Sequence, residues 1–240
     1  MNGTAPNDPD YHWNVEQGTP EWLQLRCGRL TASEIKLIMT PSGKIADNEK
    51  TRAHVYRIAH QRMTRFVPPH FVSFDMLRGQ EDEILARDLY AENTGPVRQC
   101  GFITSDRWGF TIGYSPDGLV GGDGLIECKS RREDLQTEYI IEDYSAGRVP
   151  AEHVLQVQTG LMVTRRKWLD FISYSNGEPM TVVRVYPDFD MQDRIIAAAQ
   201  AFEKKVVEKI AAYTNALNLR EPGRWSIPTE RREVQEMFTT

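Results

Sequence analysis

Residues 115–130 read SPDGLVGGDGLIECKS, and the architecture turns on how that stretch folds. Successive side chains of a strand point to opposite faces, so Glu127 and Lys129 share one face and Cys128 takes the other. Gly121-Gly122-Asp123-Gly124 has strong hairpin-turn chemistry and folds the Asp117 segment back beside them. The expected product is a small volume holding two carboxylates and one ammonium. Carboxylates suit a hard, oxygen-preferring ion such as magnesium, and a neighbouring lysine can orient or deprotonate a water. That is equipment for metal-assisted hydrolysis of a phosphodiester. The same residues also read as a surface charge pair worth little and an ordinary Pro-Asp-Gly turn. The hairpin alone does not decide between the two.

The rest of the chain narrows the choice. At 240 residues, with 40% hydrophobic and 26% charged residues, it has the composition of a globular protein with room for a large core. No apolar run is long enough to span a bilayer, and MNGTAPNDPDYHW has neither the basic start nor the apolar core of a signal peptide. Cys27, Cys100 and Cys128 are scattered and odd in number, which argues against a disulfide framework or zinc site and predicts a reducing, cytoplasmic setting. A net charge of −5 is unusual for a nucleic-acid partner. Local charge differs from the average, however. Basic residues gather at Arg57, Arg62 and Arg65, at Arg131-Arg132, and at Arg165-Arg166-Lys167, either as solvated faces or as parts of a basic channel.

Periodicity and punctuation give a mixed order of elements and no internal linker. Thr19-Pro20-Glu21 opens a short helix, with Thr19 as cap and Pro20 in the first helical position. Thr31-Ala32-Ser33-Glu34 is a capping box opening the next. Helices are expected over 48–65 and 75–93, the second closed by Gly95. Strands are expected over 97–104, 110–114 and 125–129, then a helix over 150–163 and strands over 168–174 and 181–186. A long amphipathic helix over about 190–214 closes the order, with Ile195, Ala199, Phe202 and Val206 on one face. The fold class is α/β (α+β), a central mixed β-sheet flanked by helices. Residues 1–12 and 221–240 are expected as peripheral arms of a single domain over 13–220.

Further residues invite membership of the site, each with an ordinary structural reading beside it. Ser33 lies in the first turn after Thr31, where unpaired N–H groups favour an anion, and Arg26 can add a bidentate grip on phosphate. A routine capping box and an exposed arginine explain the same pair. Glu83 sits in an acidic helical run, Gln156 on the helix after Pro150, and Ser115 before the Pro-Asp; each also reads as a surface or turn residue.

WLQLRCGRLTASE (22–34), RGQEDEILAR (78–87), GYSPDGL (113–119), LIECKS (125–130) and LQVQTGLMVT (155–164) occur in that order. Together they resemble the lambda exonuclease or YqaJ-type viral recombinase nucleases of the PD-(D/E)XK superfamily, over about residues 15–210. Single motifs are short; their joint order and spacing are specific. The resemblance implies the restriction-endonuclease-like core of that superfamily. It makes Asp117 and Glu127 magnesium ligands, with the Cys128 backbone carbonyl completing the shell. Lys129 matches the catalytic lysine, Glu83 the helical glutamate near a second metal or its waters, and Gln156 the motif glutamine. Arg26, Ser33 and Ser115 match a pocket for the 5′-phosphate of duplex DNA.

The implied activity is a 5′→3′ exonuclease on linear double-stranded DNA, using two magnesium ions for which manganese substitutes. Its implied partners are duplex DNA ends, a single-strand annealing protein in phage-type recombination, and copies of itself in a homotrimer, with no membrane. A PD-(D/E)XK endonuclease and a non-catalytic DNA-end binder are the alternatives; a closed circular substrate separates the first, and intact Asp117, Glu127 and Lys129 speak against the second. One departure stands out. Pro41-Ser42-Gly43-Lys44 lacks the arginine that some relatives carry before the Ser-Gly, so Lys44 is a weak substitute for any role in tracking DNA.

Overall fold

A computed structural model describes residues 8–68, 73–219 and 221–231. The chain opens with strand β1 (Asp10–His12), helix α1 (Pro20–Arg26), strand β2 (Leu30–Thr31) and a 3-10 helix (Ala32–Leu37). Helices α2 (Glu49–Thr64) and α3 (Phe74–Thr94) follow. Next come strands β3 (Val97–Arg98), β4 (Phe102–Ser105), β5 (Ile112–Tyr114), β6 (Gly118–Val120) and β7 (Gly124–Ser130). The order closes with α4 (Glu133–Glu142), α5 (Ala151–Thr164), β8 (Trp168–Tyr174), β9 (Thr181–Val185) and α6 (Phe189–Asn218).

Local chemistry accounts for the helix starts. The Thr19 hydroxyl accepts the Trp22 N–H at 3.3 Å, and Asn48 Oδ1 accepts that of Thr51 at 3.0 Å. The capping box is present: Glu34 Oε2 accepts the Thr31 N–H at 3.2 Å and its hydroxyl at 2.8 Å.

The fold is mixed α/β as expected, but the strands form two mixed sheets, in orders β1-β4-β5-β2 and β3-β6-β7-β8-β9. The reason lies in residues 97–104, expected as one strand. Val97–Arg98 pairs with β6, whereas Phe102–Ser105 pairs with β1 and β5. Between them the chain passes so close to the 13–15 segment that a Cβ at Gly101 would lie 1.8 Å from the Val15 carbonyl oxygen. Only glycine allows that crossing. Residues 10–12, expected in the N-terminal arm, are strand β1, paired with β4 from Asp10↔Thr104 to His12↔Phe102. The C-terminal arm is described to residue 231 and is exposed, with Trp225 81% accessible; residues 1–7 and 232–240 lie outside the described residues. No helix among the described residues is long and apolar enough to cross a membrane.

Strand β7 is the centre of the layering. Its Leu125 joins the main core with Phe171 of β8, Leu155, Leu161 and Met162 of α5, and Ile195, Phe202 and Val206 of α6. Ile126 and Cys128 point the other way, into a smaller cluster with Ala86 and Tyr90 of α3 and Ile172 of β8. The strand therefore lies between α3 and α5, and Glu127 and Lys129 face the α5 side. At Gly160 a Cβ would come within 2.8 Å of the Tyr114 ring, so glycine lets α5 seat against β5.

A polar tie joins the capping box to α2. Arg57 donates to Glu34 Oε1 at 2.9 Å and to His54 Nδ1 at 2.8 Å, leaving the His54 proton on Nε2, a buried atom with no partner among the described residues. His54 also stacks on Phe202, with centroids 4.9 Å apart. Burial pulls the His54 pKa down to about 4. Below the unfolded value of about 6.5 the unfolded chain binds a proton that the folded chain refuses, so this residue subtracts stability as pH falls. The stability difference between the wild type and His54→Gln, measured by urea unfolding, should move about 2 kcal/mol in the variant's favour between pH 7 and pH 5. An unchanged difference would show that His54 titrates normally.

Candidate active site

The last pair between β6 and β7 is Gly118↔Ile126, and β7 runs on beyond it. On that uncovered edge Asp117 Oδ2 accepts the Cys128 N–H at 2.6 Å. Amide and carbonyl of one strand residue face the same edge, so the Cys128 carbonyl, the expected backbone ligand, lies on the Asp117 side. Glu127 is 1% exposed and carries three bonds. Its Oε1 accepts from Lys129 Nζ at 2.7 Å and from Gln156 Nε2, and its Oε2 accepts the Tyr114 hydroxyl at 2.8 Å. Asp117, Glu127, Lys129 and Gln156 are thus brought together as the motif order predicts.

Arg26, Ser33 and Ser115 join the same place. Arg26 lies over the Trp22 ring, 4.3 Å from its centroid, and donates to Ser115 Oγ and Thr31 Oγ1, each at 3.4 Å. Thr31 Oγ1 lies 3.4 Å from Ser33 Oγ, and Trp22 Nε1 donates to Ser115 Oγ at 2.9 Å. A cleft of about 180 Å³ is lined by Arg26, Ser33, Ser115, Asp117, Glu127, Lys129 and Gln156, with Gln17, Trp22, Thr31, Ala32 and Tyr114. A larger cavity, about 910 Å³, lies on the other side of α1. Convergent chemistry, not size, marks the smaller one as the site. Glu83 does not line the cleft. It sits behind it on α3, joined through Arg87, which donates to Glu83 Oε1 and to the Asp117 carbonyl, both at 3.3 Å. Lys44 is also outside the cleft, in a turn closed on Thr40.

The charges explain what the site can hold. Burial, then the negative charges of Glu127 and Glu83, push the Asp117 carboxyl well above its usual range. Burial likewise raises Glu83, against the pull of Arg87. Among the described residues no group of three or more His, Cys, Asp and Glu side chains forms a ready-made metal cage. Crowded carboxylates beside a strand carbonyl are nevertheless the hard-oxygen, partly open donor set that magnesium takes with water and substrate phosphate. The residues fit that ion. Burial lowers the Lys129 pKa, but Glu127 and Asp117 outweigh it and raise the ammonium above its ordinary value. Lys129 is thus held as the ammonium that donates to Glu127.

Tyr114, Trp22 and Arg87 lie in the motif stretches without a role of their own there, and Gln17 lies outside them. The Trp22–Arg26 spacing of four, one helical turn, is a signal for the first of the two α1 residues. Tyr114, the last strand residue before Ser115, carries no local signal of its role. Gln17 Nε2 donates to the Pro116 carbonyl at 2.8 Å, a contact across 99 positions of sequence that no short motif reports.

A YqaJ-like viral recombinase domain matches residues 21–167, more than half of the chain. The chain belongs to the YqaJ-like viral recombinase family. Among solved structures it is similar to the alkaline exonuclease LHK-Exo from Laribacter hongkongensis, at 29% identity and a TM-score of 0.71, covering 82% of this chain and 97% of that one. LHK-Exo in complex with dAMP matches at 30% identity with the same coverage and TM-score. A phage-related exonuclease from Haemophilus somnus 129PT, at 14% identity, TM-score 0.53 and 77% and 96% coverage, shares the fold. No curated protein matches the sequence. The chain is a nuclease of the lambda-exonuclease type, an enzyme class that generally uses divalent metal ions.

Tyr114 holds one oxygen of Glu127 from a buried position, and burial, then the charge of Glu127, keeps its hydroxyl protonated and donating. Tyr114→Phe should lower nuclease turnover about 10- to 100-fold and raise the half-saturating metal concentration, because the carboxylate loses its orienting partner. Denaturant unfolding should show a loss of about 1–3 kcal/mol from the orphaned oxygen. Unchanged metal dependence would remove Tyr114 from the site.

Proposed function

We propose that the chain is a magnesium-dependent exonuclease that degrades one strand of linear double-stranded DNA 5′→3′ from 5′-phosphorylated ends. It releases 5′-mononucleotides and leaves 3′ single strands. One observation carries this reading: Arg26, Ser33 and Ser115 line the same small cleft as Asp117, Glu127, Lys129 and Gln156. A cation that grips a terminal phosphate beside the cleaving residues measures one nucleotide from an end. Arg26 is built for it, because its planar fork is stacked on Trp22 and its Ser115 and Thr31 contacts are long enough to yield to phosphate oxygens. The dAMP in the LHK-Exo complex has the size of such a product.

Asp117, Glu127 and the Cys128 carbonyl would hold one magnesium ion, with Glu83 near a second or its waters. Bound there, the ions supply charge neutralisation at the phosphodiester and a water of lowered pKa; manganese shares the donor preference and substitutes. The protein groups do the rest. Lys129 holds positive charge beside the attacked phosphate and orients the water. Gln156 and Tyr114 keep Glu127 from turning away. The family likeness supports action as a homotrimer with a single-strand annealing protein in phage-type recombination. Cys27, Cys100 and Cys128 are free and buried, which agrees with a reducing cytoplasm.

Linear duplex bearing a 5′-phosphate or a 5′-hydroxyl, end-labelled and digested with magnesium or with a chelator, tests the reading. Loss of label as mononucleotide from the phosphorylated end, stopped by the chelator, is expected. Equal loss from both ends, or activity surviving the chelator, overturns it. Lys129→Ala should cut turnover by about 10²–10³-fold, as for removal of a group that stabilises transition-state charge, while DNA binding changes little.

A further inference from the structure

The two faces of α1 serve two cavities. Trp22 and Arg26 line the catalytic cleft, while Gln24 and Leu25 line the larger cavity of about 910 Å³ behind it. Arg29, Arg62 and Arg65 converge there from the loop after α1 and from the end of α2. The floor is locked. Arg62 Nε donates to the Gly28 carbonyl at 2.7 Å, and its two Nη atoms donate to Glu203 of α6 at 2.6 and 2.8 Å. Gln61 Oε1 accepts the Gly28 N–H at 2.9 Å.

The other two guanidiniums are less committed. Arg29 donates to the Leu25 carbonyl, and Arg65, which ends α2 at a φ of 55° with its N–H on the Gln61 carbonyl, has no hydrogen-bond or ion-pair partner for its guanidinium among the described residues. The carboxylate of Glu203 is taken up by Arg62, which leaves Glu21 as the remaining acid lining the cavity. Burial, then repulsion from Arg65, holds the Arg29 guanidinium below its ordinary pKa. Positive charge is therefore crowded and incompletely answered around a cavity large enough for a nucleotide.

We infer that this cavity is a second phosphate-binding site, in which Arg29 and Arg65 take the phosphate oxygens above a floor made by the Arg62–Glu203 pair. Guanidinium forks match phosphate oxygens in a way a single lysine does not. Two sources supply that chemistry: a backbone phosphate of DNA engaged in the cleft, or a free phosphate or mononucleotide. A helix with its side chains is about 10–12 Å across, roughly three nucleotides of strand at about 3.4 Å each, so the first source is within reach. That source rests on the nuclease reading; the second does not.

Arg29→Gln/Arg65→Gln, made in an Arg26→Gln/Lys129→Ala background so that the cleft's own phosphate grip is absent from parent and variant alike, tests the site by two titrations. Calorimetry with inorganic phosphate and with dAMP should show binding weakened at least about tenfold relative to the parent, by loss of the charge-assisted bonds. A short duplex bound across a salt series should give a slope of log affinity against log salt shallower by about two, near one per lost phosphate contact. Weaker phosphate binding with the slope change assigns strand phosphates. Weaker phosphate binding with an unchanged slope assigns a free anion. Both titrations unchanged overturn the site and leave the arginines as helix caps. Arg65→Gln alone, at an exposed position, repeats the test with half the slope change if the double variant unfolds. The phosphate titration uses no DNA, so it still decides the site if the exonuclease reading fails.

Discussion

A buried carboxylate must be answered by its surroundings, and Glu127 is the carboxylate around which this molecule is assembled. Left unpaired at 1% exposure, it would carry the full cost of a charge taken out of water. Its three partners come from three elements: Tyr114 from β5, Lys129 from β7 itself, and Gln156 from α5. Those elements belong to both sheets and to the central helix, so satisfying one charge fixes how the layers meet. Gly160 follows from the same requirement, since α5 could not bring Gln156 to Glu127 with a side chain pressed on the Tyr114 ring. The arrangement is stiff where chemistry needs precision.

Around that centre the charges are deliberately unequal. Asp117 and Glu83 both hold their protons more tightly than an ordinary carboxyl, through burial and the nearby charge of Glu127. Arg87 links them through the Asp117 carbonyl and the Glu83 side chain without reaching the Asp117 carboxylate itself. Lys129 is bound to Glu127 rather than to Asp117. The shortfall of positive charge falls on Asp117, beside the edge of β7 that β6 leaves uncovered. A fully paired cluster there would be more stable and would have less reason to bind a metal.

Much of this was legible because it is local. The hairpin turn, the alternation of Glu127, Cys128 and Lys129, and the caps at Thr19 and Thr31 each depend on a few consecutive residues, and each forms as read. What was missed depends on distant contacts. Helix α4 shows no apolar stripe, because its buried residues are Gln136 and Tyr139, and Gln136 is held by polar bonds to Ser173 and Pro179. The split of residues 97–104 between two sheets is set by the approach of Val15 to Gly101, far apart in sequence. Two cations of the basic run at 165–167 have structural contacts. Arg166 donates to the Gly121 and Gly124 carbonyls and Lys167 pairs with Asp123, so these cations brace the hairpin turn. Tyr114 is invisible to motif reading for a related reason: its role is to be buried with its hydroxyl aimed at Glu127.

The hairpin and the proposed phosphate grip meet at one short segment. Ser115 receives Trp22 and Arg26, and two residues later Asp117 receives Cys128. Between them Pro116 fixes its own φ, and its carbonyl is held by Gln17 while the next carbonyl is held by Arg87. Little backbone freedom is left in the connection. On the proposed reading, the distance from a gripped terminal phosphate to the bond cleaved is then set by covalent geometry and two carbonyl contacts, not by a mobile loop. A step of one nucleotide becomes a consequence of how Ser115, Pro116 and Asp117 are strung together. On that same reading, the charge on Glu127 governs whether cleavage occurs, and this three-residue spacer governs where.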